Sequence, residues 1–464
     1  MIRILIKNGL IPNGNIADVL IEGEKISAVE HITGEIDGAE IIDASGTYVL
    51  PGGIDPHTHV NLKIGDRRVS DGWEAATMAS IYGGTTCIIE HPSFGPDKCS
   101  IPRWLKETVD EAQGKSYVDY GIHAVFQRVN EQVLNDIPDI VRGGFSSGKV
   151  YMTYSGRLND EDFIRVLEEM GKCGGLTAVH AENDIIISYL SSKLKKESPR
   201  LPINHAHVHP DYCEAEAVTR AIALARAAVA PVYIVHLSSA DGLEAVRNAK
   251  NEGVQVYAET CPQYLFLTED KYMAPDGINY IMAPPLRREN DVEALWHGIC
   301  DGTIDTVGTD HCSFSHIDKV KYSHSGADIL NAPGGVPGIE TRIPLLFSRG
   351  FMKNKLSLQR FVQLVSEAPA KLFGIKNKGK LERGMDADIV IIKPSEEYTI
   401  SNSALHQKVD YTPFESMRIN CKIPHVFLRG KHIISNYEFI GEKSGTFIRR
   451  EPFYRFNFED LQPY

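Results

Sequence analysis

Pro51-Gly-Gly-Ile-Asp-Pro-His-Thr-His-Val60 sets two imidazoles two residues apart at the end of a run that reads as a β-strand. Side chains at i and i+2 of a strand share a face, so His57 and His59 can grip one ion together. An isolated His-x-His pair is more often a packing or surface feature than a ligand pair. Its meaning depends on whether partners recur at equivalent places further along the chain.

They do, because strand-like and helix-like runs alternate after it. Apolar strand patterns fall at 48–60, 85–91, 120–127, 148–154, 176–180, 232–237, 254–260 and 303–310. Helical patterns at 71–82, 130–142, 160–173, 213–227, 240–251 and 291–300 occupy the gaps, with Asp160 and Ser239 placed to cap two of them. Such repetition predicts an α/β fold, a (β/α)8 barrel of the TIM type, over residues 51–379. Short strand patterns at 2–7, 17–22 and 25–31 predict a small antiparallel unit. A matching texture at 387–393, 425–430 and 432–435 predicts that residues 1–50 and 380–440 together build a small β-sandwich domain. Residues 441–464 then form a C-terminal tail.

Composition narrows the function classes. The chain has 464 residues and a formal net charge of −12, with both signs interspersed, which argues against a nucleic-acid or anionic membrane surface. No run approaches the ~20 apolar residues of a membrane span. The start, Met-Ile-Arg-Ile-Leu-Ile-Lys, has neither a basic n-region nor a long apolar h-region, so no signal peptide is expected. Eight scattered cysteines without a C-x-x-C pair read as reduced thiols of a cytoplasmic protein.

In a parallel barrel the chemistry gathers at the carboxyl ends of the strands. There the sequence offers His57 and His59 (first strand), Lys149 (fourth), His180 (fifth), His236 (sixth) and Asp310 (eighth). Each alone has a bland reading as a core histidine or a snorkelling lysine. Lys149 sits in Gly148-Lys-Val-Tyr-Met-Thr-Tyr154, where burial disfavours the ammonium. A neutral amine can add carbon dioxide, giving a carbamate whose two oxygens can bridge two metal ions.

Ordered matches run along nearly the whole chain: Gly52-Gly-Ile-Asp-Pro-His-Thr-His59, Gly83-Gly-Thr-Thr86, Lys149-Val-Tyr-Met-Thr-Tyr154, Val179-His-Ala-Glu-Asn183 and Val235-His-Leu-Ser238. They continue in Glu259-Thr-Cys-Pro-Gln-Tyr-Leu265, Pro284-Pro-Leu-Arg287, Gly308-Thr-Asp-His-Cys312, Gly335-Val-Pro-Gly-Ile-Glu340 and Asp410-Tyr-Thr-Pro-Phe414. In these the sequence resembles the cyclic amidohydrolases of the hydantoinase and dihydropyrimidinase branch. Cys87-Ile-Ile-Glu-His91, Ser93-Phe-Gly-Pro96 and Phe447-Ile-Arg-Arg-Glu-Pro452 look closest to the bacterial phenylhydantoinase type.

The resemblance implies two Zn²⁺ per subunit, one held by His57, His59 and Asp310, the other by His180 and His236, with carbamylated Lys149 bridging them. It implies hydrolysis of the ring amide of 5-substituted hydantoins to N-carbamoyl amino acids by a metal-bridging hydroxide. Asp310 would act as general base and then acid, and Tyr154 would support the oxyanion. It also implies a homo-oligomer, dimer or tetramer, for which the aromatic tail at 454–464 is a candidate arm.

Two positions depart from the family pattern. Ala283 stands where a polar residue usually precedes Pro-Pro-Leu-Arg, and Gly334 where Asn usually stands; both family positions meet the ring amide mainly through backbone groups. The resemblance sets specificity in loops at 62–73 and 151–158, where Leu62, Ile64, Tyr151 and Leu158 offer an apolar wall for a ring substituent. Asn61 replaces the arginine with which dihydroorotases bind a carboxylate. Dihydropyrimidinase and allantoinase activities are the alternatives, and a non-catalytic scaffold relative is disfavoured because every ligand position is filled. Asn204-His-Ala-His-Val-His209 mimics a metal motif but falls in a connection, and His311 is expected to point away from the site.

Overall fold

The expected alternation closes into a ring in the computed structural model, which describes residues 2–96, 99–194, 201–323 and 328–453. Gly53–Thr58, Thr85–Glu90 and Asp119–Ile122 pair in parallel. Ala124–Val125, Ser147–Tyr151, Leu176–His180, Val232–Ile234, Val256–Thr260 and Thr306–Val307 continue the ladder, also in parallel. Asp119–Ile122 and Ala124–Val125 are halves of the third strand, broken at His123 so that one half serves the second strand and the other the fourth. The first and eighth strands close the barrel through Asp310 N–H to His57 O at 2.9 Å and His59 N–H to His311 O at 2.8 Å. Helices such as Gly72–Tyr82, Glu131–Arg142, Asp160–Lys172 and Ala240–Asn251 return the chain between strands.

The run 48–60 is two strands, not one. Tyr48–Pro51 pairs antiparallel with Ile389–Thr399 in the terminal sheet, and Gly53–Thr58 opens the barrel. Gly52 is the switch: its N–H goes to Asp388 O, the next N–H goes to Gly84 O, and a Cβ at Gly52 would lie 2.3 Å from Thr86 Oγ1. Asp160 is the first helical residue, and the cap is Asn159, whose side chain accepts from Asp162 N–H at 2.8 Å. Ser239 caps as expected.

Strands from both ends of the chain form one nine-stranded sheet in the order Glu438–Phe439, Lys431–Ser435, Arg418–Leu428, Ile389–Thr399, Tyr48–Pro51, Arg3–Leu10, Ile16–Glu22, Lys25–Glu30, with Ala39–Asp43 branching from Arg3–Leu10. The amino-terminal unit is mixed, because Arg3–Leu10 pairs antiparallel with Ile16–Glu22 but parallel with Ala39–Asp43. A parallel partner needs a crossover, which residues 11–38 supply. Val19 and Ile21 share a core with Ile389, Ile391 and Phe427, so the sheet folds over itself as the β-sandwich. The tail at 454–464 lies outside the described residues. No helix among them is long and apolar enough to cross a membrane.

The barrel interior has a dry end. Ile54, Cys87, Ile89, Leu176, Ala178, Tyr233 and Tyr257 fill it together with Phe373 and Phe453. By the period of two, the next residues on those same strand faces are His91, His180 and Glu259. The packed end therefore hands over to a polar one at the carboxyl ends.

Candidate active site

All six strand-end residues singled out from the sequence converge at that polar end. Asp310 Oδ1 lies 3.2 Å from His57 Nε2 and 3.2 Å from His59 Nε2. His180 Nδ1 faces His236 Nε2 at 2.8 Å. The rings of His57 and His236 stack at 5.4 Å between centroids, which joins the two pairs. Lys149, fully buried, has its ammonium nitrogen 5.1 Å from the Tyr151 ring centre.

Three of the four imidazoles are aimed by their other nitrogen. His57 Nδ1 donates to Glu259 Oε1 at 2.6 Å, His59 Nδ1 to His91 O at 3.1 Å, and His180 Nε2 to Glu182 Oε2 at 2.8 Å. Such partners fix the ring orientation and raise the basicity of the free nitrogen. Glu259 also accepts from Tyr233 O–H at 2.9 Å and His236 N–H at 3.1 Å. It fits because residue 308 is glycine: a Cβ there would sit 2.6 Å from Glu259 Oε2. Glu182 takes a second imidazole from His209 Nδ1 at 2.8 Å.

Burial dominates the electrostatics. It pushes the imidazoles of His57 and His236 well below their usual range, with Lys149 adding to the effect. It pulls Lys149 down to about 8 against the opposing pull of Asp310 and Glu259. Burial alone would raise Asp310, but His57, His59 and Lys149 hold it down at about 2. Burial lifts Glu259 to about 8. The site thus favours neutral nitrogen donors around one carboxylate.

His236 Nδ1, Lys149 Nζ and both ring nitrogens of His91 are buried without a hydrogen-bond partner, and His57 Nε2 makes no hydrogen bond and has only the Asp310 carboxylate beside it at 3.2 Å. Leaving such groups unpaired is costly unless something else takes them. Neutral imidazoles with a carboxylate and a buried amine are the donor set of a divalent transition metal, zinc being the common case. The residues present fit that group.

Three site residues have left-handed backbones, Tyr154 at φ 72°, His236 at φ 40° and Asp310 at φ 51°. Non-glycine residues adopt this region at a cost, and such strain gathers at functional positions. Tyr154 is 42% exposed, and its ring centre lies 5.0 Å from that of His180. It therefore reaches the mouth from just above the ligand cluster.

The remaining predicted positions divide. Tyr151 stands between Lys149 and the mouth, with Phe94 5.4 Å and Tyr154 6.0 Å from its ring. Gly334 adjoins Ala283, since a Cβ on Gly334 would meet Met282 Cα at 3.7 Å and Ala283 N at 3.9 Å. Ile64 is exposed in a short hairpin, Lys63–Ile64 against Arg67–Arg68, whereas Leu62 packs against Val69, Cys312 and Phe314. Leu158 belongs to the main core, held by its N–H to Tyr151 O. Residues 203–208 are helical, not extended: His205 Nε2 meets Met282 O at 2.6 Å, and His209 serves Glu182. His311 points away, to Asp71 at 2.9 Å.

The sequence reading assigned no role to Glu259, Glu182, His209 or His91. All four stand inside stretches named above, and the face periodicity of the seventh strand was the signal that could have found Glu259. His209 is brought in by a helix far along the connection. His91 joins His57 and His59 in a group whose ligand atoms all lie within 4.8 Å of one another.

Comparison with known proteins gives the family and the overall fold. A family model described as "Amidohydrolase family" matches residues 48–433. The D-phenylhydantoinase of Escherichia coli O1:K1 / APEC is 42% identical over 457 residues, covering 97% of this chain and 99% of that protein. Among solved structures, the dihydropyrimidinase from Brevibacillus agri NCHU1002 superposes with a TM-score of 0.94 at 38% identity, covering 97% of this chain and 99% of the other. D-Hydantoinase from Bacillus sp. AR9 superposes with a TM-score of 0.93 at 37% identity, with the same coverage.

Proposed function

The chain belongs to the amidohydrolase family, and from that premise we propose that it is a binuclear zinc enzyme opening the ring amide of 5-substituted hydantoins to N-carbamoyl amino acids. The observation that carries this is Lys149: a fully buried amine without a partner, among four imidazoles and Asp310. Its free amine state is accessible near neutral pH, because burial brings it to about 8. The lone pair adds to carbon dioxide, a proton leaves, and the resulting carbamate is an anion with two donor oxygens.

In this reading His57, His59 and Asp310 would hold one zinc, His180 and His236 would hold the other, and a carbamate on Lys149 would supply oxygen donors to both. Zinc bound there acts as a Lewis acid and brings the pKa of water to roughly 7. Asp310 takes the proton of the attacking water and returns it to the ring nitrogen as the C–N bond breaks. Tyr154 O–H donates to the carbonyl oxygen as it becomes anionic. Backbone groups at Ala283 and Gly334 orient the ring amide, and Tyr151 with the loop residues Leu62 and Ile64 shapes the wall that meets the 5-substituent, Leu158 backing it from the core.

Identity to D-phenylhydantoinase supports an aryl hydantoin as the preferred substrate. The likeness to a dihydropyrimidinase supports dihydrouracil as the second reading. The test is ring opening of 5-phenylhydantoin, hydantoin, dihydrouracil and allantoin by protein prepared with zinc and bicarbonate. Fastest turnover of the aryl hydantoin is expected. Preference for dihydrouracil or allantoin moves the substrate, and no ring opening by metal-loaded protein overturns the proposal.

A further inference from the structure

His91 directly follows the second barrel strand and is the one imidazole at the proposed metal site to which the proposed reaction gives no task. Its ring is fully enclosed, and neither nitrogen has a hydrogen-bond partner. It stacks on His123 at 3.8 Å between centroids and meets the His57 ring edge-on at 4.3 Å. His123 differs: its Nε2 meets Pro56 O at 3.0 Å and its Nδ1 meets Ser147 Oγ at 2.7 Å. One ring of the stack is thus fully satisfied as a core histidine, and the other is left with two polar atoms and nothing to bind. Burying a polar group in that way is unfavourable, so a further group is expected at His91.

The neighbours say what that group is. The ligand atoms of His57, His59 and His91 lie within 4.8 Å of one another. Zn–N bonds of about 2.0–2.1 Å set tetrahedral donors roughly 3.4 Å apart, so the three rings would draw in by at most about an ångström and a half on binding. Asp310 Oδ1, 3.2 Å from both His57 Nε2 and His59 Nε2, offers a fourth donor. Once a carbamate oxygen is also present, His91 would be a fifth protein donor, beyond zinc's usual four. Its role therefore belongs to the chain before Lys149 is carbamylated.

We propose that His57, His59 and His91 form a three-imidazole loading site that captures the first zinc ion while Lys149 is still a free amine. The proposal rests on the metal reading given above. His91 holds the ion until the carbamate forms and takes that position over. His91 is then a metal-loading residue, with no contact to substrate.

The test is zinc titration against a competing chelator in carbon-dioxide-stripped buffer, comparing the unmutated chain with His91→Phe and His91→Gln. Phe preserves the aromatic stack and Gln preserves polarity. The unmutated chain should bind one zinc, and both variants should bind it at least tenfold more weakly. With bicarbonate restored, the difference should narrow and all three should take two zincs. Equal affinity of all three chains in stripped buffer overturns the loading role while leaving the binuclear reading intact; an unmutated chain that binds no zinc even with bicarbonate overturns both. If neither variant folds, zinc X-ray absorption of the unmutated chain loaded with one equivalent in stripped buffer decides. Three imidazoles support the site, and two overturn it.

Discussion

Replacing Glu259 by Gln should weaken zinc binding without emptying the site of its ligands. Glu259 Oε1 accepts from His57 Nδ1 at 2.6 Å and from His236 N–H at 3.1 Å, so this one side chain steadies a ligand of each proposed zinc. Gln keeps an acceptor of the same reach but cannot become the carboxylate that the positive charge of bound zinc would favour, so the charge-assisted bond that makes the far nitrogen of His57 a better donor is lost when metal binds. Loss of such a partner typically costs 10–100-fold in metal affinity, or about 1.4–2.7 kcal/mol. Glu259→Leu goes further: it removes every acceptor and orphans both His57 Nδ1 and the His236 N–H. Tyr233 O–H retains Thr306 Oγ1 at 2.5 Å. Two buried donors left unpaired cost about 1–3 kcal/mol each, so Leu should lower the stability of the metal-free protein by about 2–6 kcal/mol. Chelator competition reads the first effect, and denaturant unfolding of apo-protein the second. Unchanged zinc affinity in Gln, together with wild-type stability in Leu, would refute the positioning role.

Lys149→Ala should retain no more than one zinc and lose nearly all turnover, since no side-chain oxygen replaces the carbamate; two bound zincs with near-normal kcat would sink the carbamate. Asp310→Asn should keep part of its metal yet lose proton transfer, which a steady-state assay at matched zinc content would read as a large fall in kcat, and an unchanged kcat rejects the acid-base role. Lys378 lies between Asp388 at 2.6 Å and Asp119 at 2.9 Å, where the terminal sheet meets the barrel. Lys378→Met removes the cation from two buried carboxylates and should destabilise the fold by about 3–5 kcal/mol; a melting temperature within a degree of wild type would show that the pair is solvated instead.

Much of the site was legible because a strand reports its own geometry. The spacing of His57 and His59, the anomalous Lys149 within an apolar run, and the histidines closing the fifth and sixth strands all follow from a period of two and from the habit of parallel barrels to place chemistry at one end. Local chemistry likewise marked Ser239 as a cap. It misplaced the neighbouring one, because Asn159 and Asp160 are both capable and only the backbone decides which is non-helical. The break of 48–60 at Gly52 was invisible because both halves are apolar and extended, and the change of partner depends on Asp388 and Gly84, far away in the chain.

The sequence by itself determined which strands end in imidazole, amine or carboxylate side chains and which segments alternate, since these are properties of consecutive residues. Only the tertiary structure decided which groups stand behind them. Glu259 reaches His57 across 202 positions, Glu182 is shared by His180 and His209, and the His91 ring has neighbours but no hydrogen-bond partner. Closure of the barrel sets those distances, because it brings the ends of strands distant in sequence to one mouth. No local periodicity encodes which of two buried polar rings will find its partner there.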